Sequence, residues 1–324
     1  MKANRDDRRW LRAAAALAVR ARPISCPNPA VGAIIVKDGI VAGRGWTAAG
    51  GRPHAEAIAL EKAGDAARGA TLYVTLEPCA HESVRGPDCA GLVAESGIAE
   101  VVIGIGDPDP RTAGRGIAKL QAAGIEARLS DDPACRESLA GYLARTTLGR
   151  PHITLKLATS LDGRIALADG ASRWITGEVA RAHAHLERAR SDAILVGAGT
   201  LRTDNPKLDV RLPGLESRSP RRCVLTRGEA PQGWTAIASP QAVHDLPEVQ
   251  YLLVEGGAET AAGFIAADLV DRLLIYRAPI LIGGGKPCLG DIGIASLDEV
   301  HNRWRREATK ALGTDTLEIL TRIR

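Results

Sequence analysis

The sequence predicts an α/β chain of two domains, each a sheet packed against helices. Three observations carry this prediction. Short apolar runs rich in Val, Ile and Leu, such as 31–36 and 100–105, alternate with amphipathic or Ala-rich helical stretches, the pattern of α/β folds. A length of 324 residues suits two ordinary domains. Gly149-Arg150-Pro151 follows a helical stretch, and a helix stop followed by Gly and Pro makes a domain boundary. The domains expected are therefore 1–148 and 149–324.

In the first domain a helix near 7–20 leads through the turn Pro27-Asn28-Pro29 into a strand over 31–36. Lys37-Asp38-Gly39 is a hairpin signal, and a second strand follows near 40–46. A helix over 54–63, a buried strand over 70–76 and a helix near 88–96 come next. The run 100–105 reads as a buried strand broken by Asp107-Pro108-Asp109-Pro110. A helix near 114–123, a strand at 125–129 and a helix at about 132–147 complete the domain. This β-β-α-β-α-β-α-β order implies a mixed sheet between helices. The second domain opens with a strand over 152–158, turned by Asp162-Gly163 into a short strand around 164–167. A helix at 177–190, a strand over 192–196, a Pro/Gly/Ser loop at 211–221, and strands near 222–226, 250–254, 272–276 and 315–321 follow.

The most informative cluster is His54-Ala55-Glu56 with Pro78-Cys79 and Cys89. A histidine and two thiolates hold Zn²⁺ and leave a fourth position for water, which separates a catalytic zinc from a closed structural one. Water held there has its pKa lowered to about 7. Glu56, which need not be a ligand, would carry protons between that water and a departing amine. H-x-E…P-C is the signature of zinc nucleobase deaminases, so the first expectation is hydrolytic deamination of a heterocycle. A single H-x-E is common by chance, and a lone Cys is usually a small buried apolar residue. Here the order His, Glu, Pro-Cys, Cys falls within one short stretch with fitting elements around it. The 54–63 helix puts His54 in its first turn, and the 70–76 strand delivers Glu77-Pro78-Cys79 to a strand end, where Pro can start a turn or helix. Helix N-termini there would favour thiolates.

Nine residues separate Cys79 from Cys89, where the commonest deaminase pattern has two. The intervening segment must double back to the metal, and Gly86-Pro87 is suitable turn chemistry. On it, Arg85 is either a solvated side chain or one able to approach an anionic group. His81 is expected in the loop or behind the ligands, not as a ligand itself.

Composition excludes several classes. A net charge of +4 with scattered basic residues, and only 3% aromatic residues, offer neither a basic groove nor stacking platforms for a nucleic-acid strand. The first ten residues lack the apolar core of a signal peptide, and no apolar run is long enough to span a bilayer. Cys26, Cys135, Cys223 and Cys288 show no disulfide spacing. A cytoplasmic protein is expected.

The second domain carries two glycine-bearing strand ends, Gly197-Ala198-Gly199-Thr200 and Glu255-Gly256-Gly257-Ala258-Glu259-Thr260. Glycines let backbone N–H groups approach an anion, and a helix N-terminus adds a favourable dipole. Neither is a G-x-G-x-x-G fingerprint, so neither supports an ordinary Rossmann domain. Each alone is more often a tight strand-to-helix turn; their recurrence points to a nucleotide site.

Across both halves the chain resembles the bifunctional riboflavin-biosynthesis deaminase–reductases, the RibD family. In the first domain the resemblance rests on Asn28-Pro29-x-Val31-Gly32, His54-Ala55-Glu56, Tyr73-Val74-Thr75-Leu76-Glu77-Pro78-Cys79-x-His81 and Asp107-Pro108-x-Pro110. In the second it rests on Lys156-Leu157-x-x-Ser160-Leu161-Asp162-Gly163-Arg164, Ser172-x-Trp174-Ile175-Thr176, Asp204-x-Pro206-x-Leu208-x-Val210-Arg211 and Glu255-Gly256-Gly257. The resemblance implies a cytidine-deaminase-like three-layer domain followed by a dihydrofolate-reductase-like α/β domain. It implies deamination of 2,5-diamino-6-ribosylamino-4(3H)-pyrimidinone 5′-phosphate, then NADPH-dependent reduction of the ribosyl group of 5-amino-6-(5-phosphoribosylamino)uracil to ribityl. The cofactors implied are Zn²⁺ and NADPH.

Carried over by motif, His54, Cys79 and Cys89 resemble the zinc ligands, Glu56 the proton shuttle, and Asn28 a pocket residue able to read a pyrimidine edge. Ser172, Arg188, Leu208, Arg211 and Glu255 resemble substrate positions, with Lys156 either structural or orienting substrate. Ala158, Trp174, Thr200 and Asp204 resemble cofactor positions, as does the turn Gly257, Ala258, Glu259, Thr260, Ala261, Ala262 and Gly263; Trp174 could instead be a core aromatic. The partners expected are a small phosphorylated pyrimidine and further copies of the chain in a homo-oligomer, with no nucleic acid and no membrane. Two departures stand out. The family loop H-x-G-R-T-P-P-C is replaced by the longer His81–Cys89 segment, and the chain is short between Arg211 and Tyr251. The second leaves a reading in which the reductase domain binds a nucleotide without turnover. A nucleic-acid editing deaminase is the less favoured alternative.

Overall fold

The computed structural model describes residues 5–81 and 86–324. They form two compact units, 1–149 and 150–324. Among the described residues no helix is long and apolar enough to cross a membrane.

The first unit consists of α1 (Arg5–Ala18), β1 (Gly32–Lys37), β2 (Ile40–Trp46), α2 (Ala55–Ala63), β3 (Thr71–Leu76), α3 (Cys89–Glu95), β4 (Glu100–Ile105), α4 (Arg115–Ala122), β5 (Glu126–Leu129), α5 (Pro133–Ser138) and α6 (Ala140–Leu148). The sheet order is β2-β1-β3-β4-β5. β1 is antiparallel to both its neighbours, whereas β3, β4 and β5 run parallel. The expected mixed sheet is therefore present. The expected helix over 132–147 is two helices, because Leu139, at φ −100° and ψ 5°, leaves helical geometry between them.

Small residues set how closely the helices approach this sheet. A Cβ at Gly45 would lie 2.3 Å from the Ala55 carbonyl oxygen, and one at Gly43 would lie 2.2 Å from that of Ala59. The facing side of α2 is Ala55, Ala59 and Ala63, all buried. Glycine on the strand and alanine on the helix thus let α2 lie almost backbone to backbone on β2, a separation no larger side chain would permit. Gly32 does the same for α1, where its Cβ would meet the Ala14 oxygen at 2.0 Å.

The second unit consists of β6 (His152–Thr159), β7 (Arg164–Ala166), α7 (Glu178–Ala189), β8 (Ala193–Gly197), α8 (Ala198–Asp204), β9 (Arg221–Leu225), β10 (Thr235–Ile237), β11 (Tyr251–Glu255), α9 (Ala258–Ala266), β12 (Arg272–Arg277), β13 (Lys286–Pro287), β14 (Trp304–Leu312) and β15 (Asp315–Arg322). Its eight-stranded sheet has the order β10-β9-β8-β11-β6-β12-β15-β14. The six strands from β10 to β12 run parallel, and β15 and β14 continue antiparallel. β14 was not expected, since Trp304–Leu312 is an exposed edge strand with no buried face to impose alternation.

The entry to this unit is fixed by a buried ion pair. Arg150 Nη1 and Nη2 donate to the two carboxylate oxygens of Asp271 at 2.7 and 3.0 Å, and the Ile153 N–H donates to the same group at 2.8 Å. Burial alone would raise the Asp271 pKa, but the hydrogen bond from Arg150 and the nearby positive groups hold it at about 2. A free aspartate titrates near 3.9. The stabilisation is therefore complete above about pH 4 and lost as pH falls toward 2. An Asp271→Ala variant, which leaves Arg150 buried and unpaired, is expected to lose about 3–5 kcal/mol in urea unfolding at neutral pH. Its deficit relative to the parent should shrink as the pH approaches 2. An unchanged urea midpoint would show that the pair is not holding the unit.

Candidate active sites

The metal site assembles from three separate segments. His54 is the N-cap of α2, with extended φ −73° and ψ 163°, so its ring lies before the helix, not within its first turn. Cys79 lies three residues past the end of β3, and Cys89 is the first residue of α3. The ligand atoms of His54, Cys79 and Cys89 all lie within 4.8 Å of one another. His54 Nδ1 lies 3.2 Å from Cys89 Sγ and 3.6 Å from Cys79 Sγ. Tetrahedral zinc with Zn–N near 2.0 Å and Zn–S near 2.3 Å requires N···S separations of about 3.5 Å. The donor set and its spacing therefore fit a zinc ion bound through Nδ1 and two sulfurs.

The expected helix N-terminus at the thiolates is that of α3, which begins at Cys89. Among the described residues no helix starts at Pro78. The favourable dipole comes instead from α3, whose first N–H, that of Cys89, donates to Cys79 Sγ at 3.3 Å. Asp88 caps that helix by accepting from Gly91 N at 2.7 Å, and Lys119 pairs with Asp88 at 2.8 Å. Hydrogen bonds from Cys89 and from the His54 ring bring the Cys79 thiol down to about 4, while its own hydrogen bond to Cys79 and its burial push the Cys89 thiol up. Glu56 is 3% exposed. Burial raises its carboxyl to about 7, against the opposing charge of His54. A carboxyl with such a value at neutral pH can both accept and release a proton.

The surrounding residues explain the rest of the pocket. The Asn28 amide lies 3.4 Å from His54 Nε2 and donates to the Gly51 carbonyl at 3.3 Å. Gly51 adopts φ +88°, and a Cβ there would lie 2.4 Å from Asn28 Cγ. The Asn28 turn is held in turn by Thr47, whose hydroxyl accepts from Val31 N and donates to the Pro29 carbonyl. Glu77, 3% exposed, accepts from the N–H groups of Asp107, Gly114 and Ile117. It thereby ties the Cys79 loop to the Asp107-Pro108 segment, a role its place in the motif did not disclose. His81 lies 3.4 Å from the Thr112 hydroxyl and outside the ligand cluster, as expected. Arg85 lies outside the described residues.

In the second unit, three of the expected residues, Lys156, Glu255 and Arg188, meet at adjacent parallel strands; open α/β sheets bind ligands at the carboxyl ends of such strands. Lys156 on β6 and Glu255 on β11 are register partners, with Nζ and carboxylate 3.6 Å apart. Arg188 from α7 closes on the same carboxylate with two hydrogen bonds of 2.7 and 2.9 Å. Burial would raise the Glu255 pKa, but Lys156 and Arg188 lower it to about 2. Glu255 is therefore an anion throughout the working range, able to accept hydrogen bonds but not to donate a proton.

The two glycine turns also meet. β8 and β11 are neighbours, and Gly197 and Gly256 both pack on Thr260, with Cβ atoms that would lie 2.2 Å from its Oγ1 and 2.7 Å from its Cβ. Gly257 caps α9, and a Cβ on it would meet the Thr200 hydroxyl at 3.5 Å. The two glycine turns therefore lie together at the N-terminus of α9, whose backbone N–H groups favour an anion such as a diphosphate. The 257–263 segment is not a turn, however. It is the start of α9, where Thr260, Ala261 and Ala262 are buried on the inner face, leaving Gly257, Ala258, Glu259 and Gly263 with accessible surface.

Trp174 is 64% exposed, which rules out a core role; Arg181 of α7 stacks 4.8 Å from its ring. Arg173 beside it donates to the Asp204 carbonyl at 3.0 Å, joining the 172–174 loop to the end of α8. Ala158 packs with Tyr276 and Leu317, and Leu208 is 4% exposed beside Ile194 and Val196. Arg211 is 60% exposed at its side chain and pairs loosely with Asp209 at 3.5 Å. Ser172 is half-buried on the loop after β7. Gly51 was missed from sequence, although its place two residues before Pro53-His54 could have marked it. A Gly51→Ala variant should displace Asn28, keep stoichiometric zinc and release ammonia about 10–100-fold more slowly. Parent-rate turnover would remove Asn28 from the pocket.

Residues 4–105 match the family described as cytidine and deoxycytidylate deaminase zinc-binding region, and residues 151–317 match the family described as RibD C-terminal domain. The chain is 35% identical to the riboflavin biosynthesis protein RibD of Aquifex aeolicus, over 95% of this chain and 96% of the relative. To the RibD of Escherichia coli it is 38% identical, over 86% and 89%. Among solved structures, a diaminohydroxyphosphoribosylaminopyrimidine deaminase/5-amino-6-(5-phosphoribosylamino)uracil reductase from Thermotoga maritima matches with TM-score 0.87 at 31% identity, covering 98% of this chain and 99% of the other. A RibD structure from Acinetobacter baumannii matches with TM-score 0.85 at 31% identity, over 98% and 99%. Together with the His–Cys–Cys cluster, these likenesses show that the chain belongs to the RibD family of bifunctional riboflavin-biosynthesis enzymes, pairing a zinc-binding deaminase domain with a RibD reductase domain.

Proposed function

We propose that the first unit removes an amine, as ammonia, from 2,5-diamino-6-ribosylamino-4(3H)-pyrimidinone 5′-phosphate. The second unit then reduces the ribosyl group of the resulting 5-amino-6-(5-phosphoribosylamino)uracil to ribityl with NADPH. The observation that carries the reading is the closure of His54, Cys79 and Cys89 around one point, with the buried Glu56 against them. Zinc held by these three side chains supplies Lewis-acid activation of water at neutral pH. Glu56 takes a proton from the attacking water and returns one to the departing nitrogen, which leaves as ammonia while the ring carbon gains a carbonyl oxygen. Asn28 presents an amide that can both donate to and accept from the pyrimidine edge.

NADPH, when bound, would supply hydride to the ribosyl C1′ as the C1′–ring-oxygen bond opens and that oxygen takes a proton, so the chain's task is to orient and to exclude water. Arg211 and Arg188 supply charge-assisted hydrogen bonds to the substrate phosphate. Glu255, held as an anion by Arg188 and Lys156, accepts from ribose hydroxyls, and Lys156 orients that carboxylate. The intact Lys156–Glu255–Arg188 array speaks for a working reductase and against a domain that binds a nucleotide without turnover. None of the six cysteines is joined in a disulfide, which suits the reducing cytoplasm in which we place the enzyme.

A coupled assay on the diaminopyrimidine phosphate tests both halves, with ammonia release followed by loss of NADPH absorbance. A Glu56→Gln variant should retain zinc, lose about 10²–10⁴-fold in ammonia release, and oxidise NADPH at the parent rate when given the deaminated intermediate. Chelation of the metal should abolish the first step and spare the second. Parent-rate ammonia release by Glu56→Gln would refute the proton shuttle. A failure to oxidise NADPH on the deaminated intermediate would refute the reductase.

A further inference from the structure

The backbone or side chain of every residue in Leu208–Arg211 is fastened, and the exposed Arg211 side chain is held only by a loose pair with Asp209. Leu208 takes a left-handed φ of +56° and buries its side chain beside Ile194, Val196 and Leu253. The Asp209 carbonyl accepts from Arg188 Nη1 at 3.1 Å, and the Val210 N–H donates to the Ser219 hydroxyl at 3.0 Å. The last fastening is His185, one turn before Arg188 on α7, whose Nδ1 accepts the Arg211 N–H at 3.3 Å. Beyond it the Arg211 side chain is 60% exposed. Arg181, His185 and Arg188 follow one another at helical spacing of four and three residues, so they share one face of α7. That face carries the Trp174 stack at one end and the Glu255 pair at the other.

We infer that His185 is a positioning residue for the reductase, one whose ring nitrogen fixes the backbone of Arg211 and so aims that guanidinium at the substrate phosphate. The inference rests on the reading of Arg211 as a phosphate contact. To accept from a backbone N–H, Nδ1 must be unprotonated, which requires the neutral imidazole with its proton on Nε2. Burial and the neighbouring Arg188 and Arg211 lower the pKa of His185 and favour that form. The hydrogen bond lies at an exposed site, so water replaces it when it is lost and the fold is little affected. What changes is the freedom of Arg211, and a contact equal in ground and transition states appears in KM and not in kcat.

The test uses the full-length zinc enzyme with the phosphorylated, deaminated intermediate and NADPH. His185→Asn places an amide oxygen where Nδ1 stands, whereas His185→Gln places it farther out. The Gln variant is expected to raise KM for the intermediate about three- to tenfold, the worth of one ordinary hydrogen bond, with kcat within about twofold. The Asn variant should restore the parent KM, and ammonia release should be unchanged in both. In an Arg211→Met background, His185→Gln should have no further effect. If Arg211→Met leaves KM unchanged, the phosphate reading of Arg211 fails and takes this inference with it. If Arg211→Met raises KM but His185→Gln does not, or if Asn and Gln raise it alike, the inference alone is overturned.

Discussion

One constraint governs the deaminase unit: three ligand side chains from three segments must reach a common point while a carboxyl stays buried against them. The constraint is met by backbone proximity more than by side-chain reach. Glycines on β2 and alanines on α2 bring the helix against the sheet, which fixes where the N-cap His54 and the first-turn Glu56 stand. The long segment after Cys79 leads to Cys89. It returns at α3, and the first N–H of that helix is spent on the Cys79 sulfur. With nine residues between the ligands, the Cys79 sulfur still faces the N-terminus of a helix.

The reductase unit solves a different problem, keeping an anion and several cations buried together without neutralising the anion. Glu255 sits between Lys156 from the neighbouring strand and Arg188 from α7. Removing Glu255 would leave the two cations uncompensated in a partly desolvated place. The glycines of β8 and β11 work alongside this array. They let the Thr260 side chain of α9 pack directly against the strand ends. The charged array and the glycine turns thus share neighbouring strand ends of one sheet.

Much of this was legible in the sequence, for physical reasons that differ by element. Buried parallel strands such as β4 and β8 announce themselves as apolar runs because both faces are covered. The zinc set was legible because its chemistry needs those residue types in that order. β14 was not, since an exposed edge strand obeys no burial pattern. The break at Leu139 between α5 and α6 was missed because Leu139 is itself a buried apolar residue that continues the helical pattern. The 257–263 run was taken for a turn because its glycines are turn-formers, yet Gly257 is only the cap of α9. Trp174 could not be placed from composition, as a tryptophan is equally at home in a core. Contacts between distant residues, such as Gly51 on Asn28 or Arg211 on His185, have no local signature at all.

The central claim is that His54, Cys79 and Cys89 form one zinc centre open to water. X-ray absorption at the zinc edge of the purified full-length enzyme tests it most directly. The geometry predicts two sulfur neighbours at about 2.3 Å and two nitrogen or oxygen neighbours at about 2.0 Å, with one sulfur lost in a Cys89→Ser variant. A shell of three or four sulfurs, or one free of sulfur, would contradict the assignment.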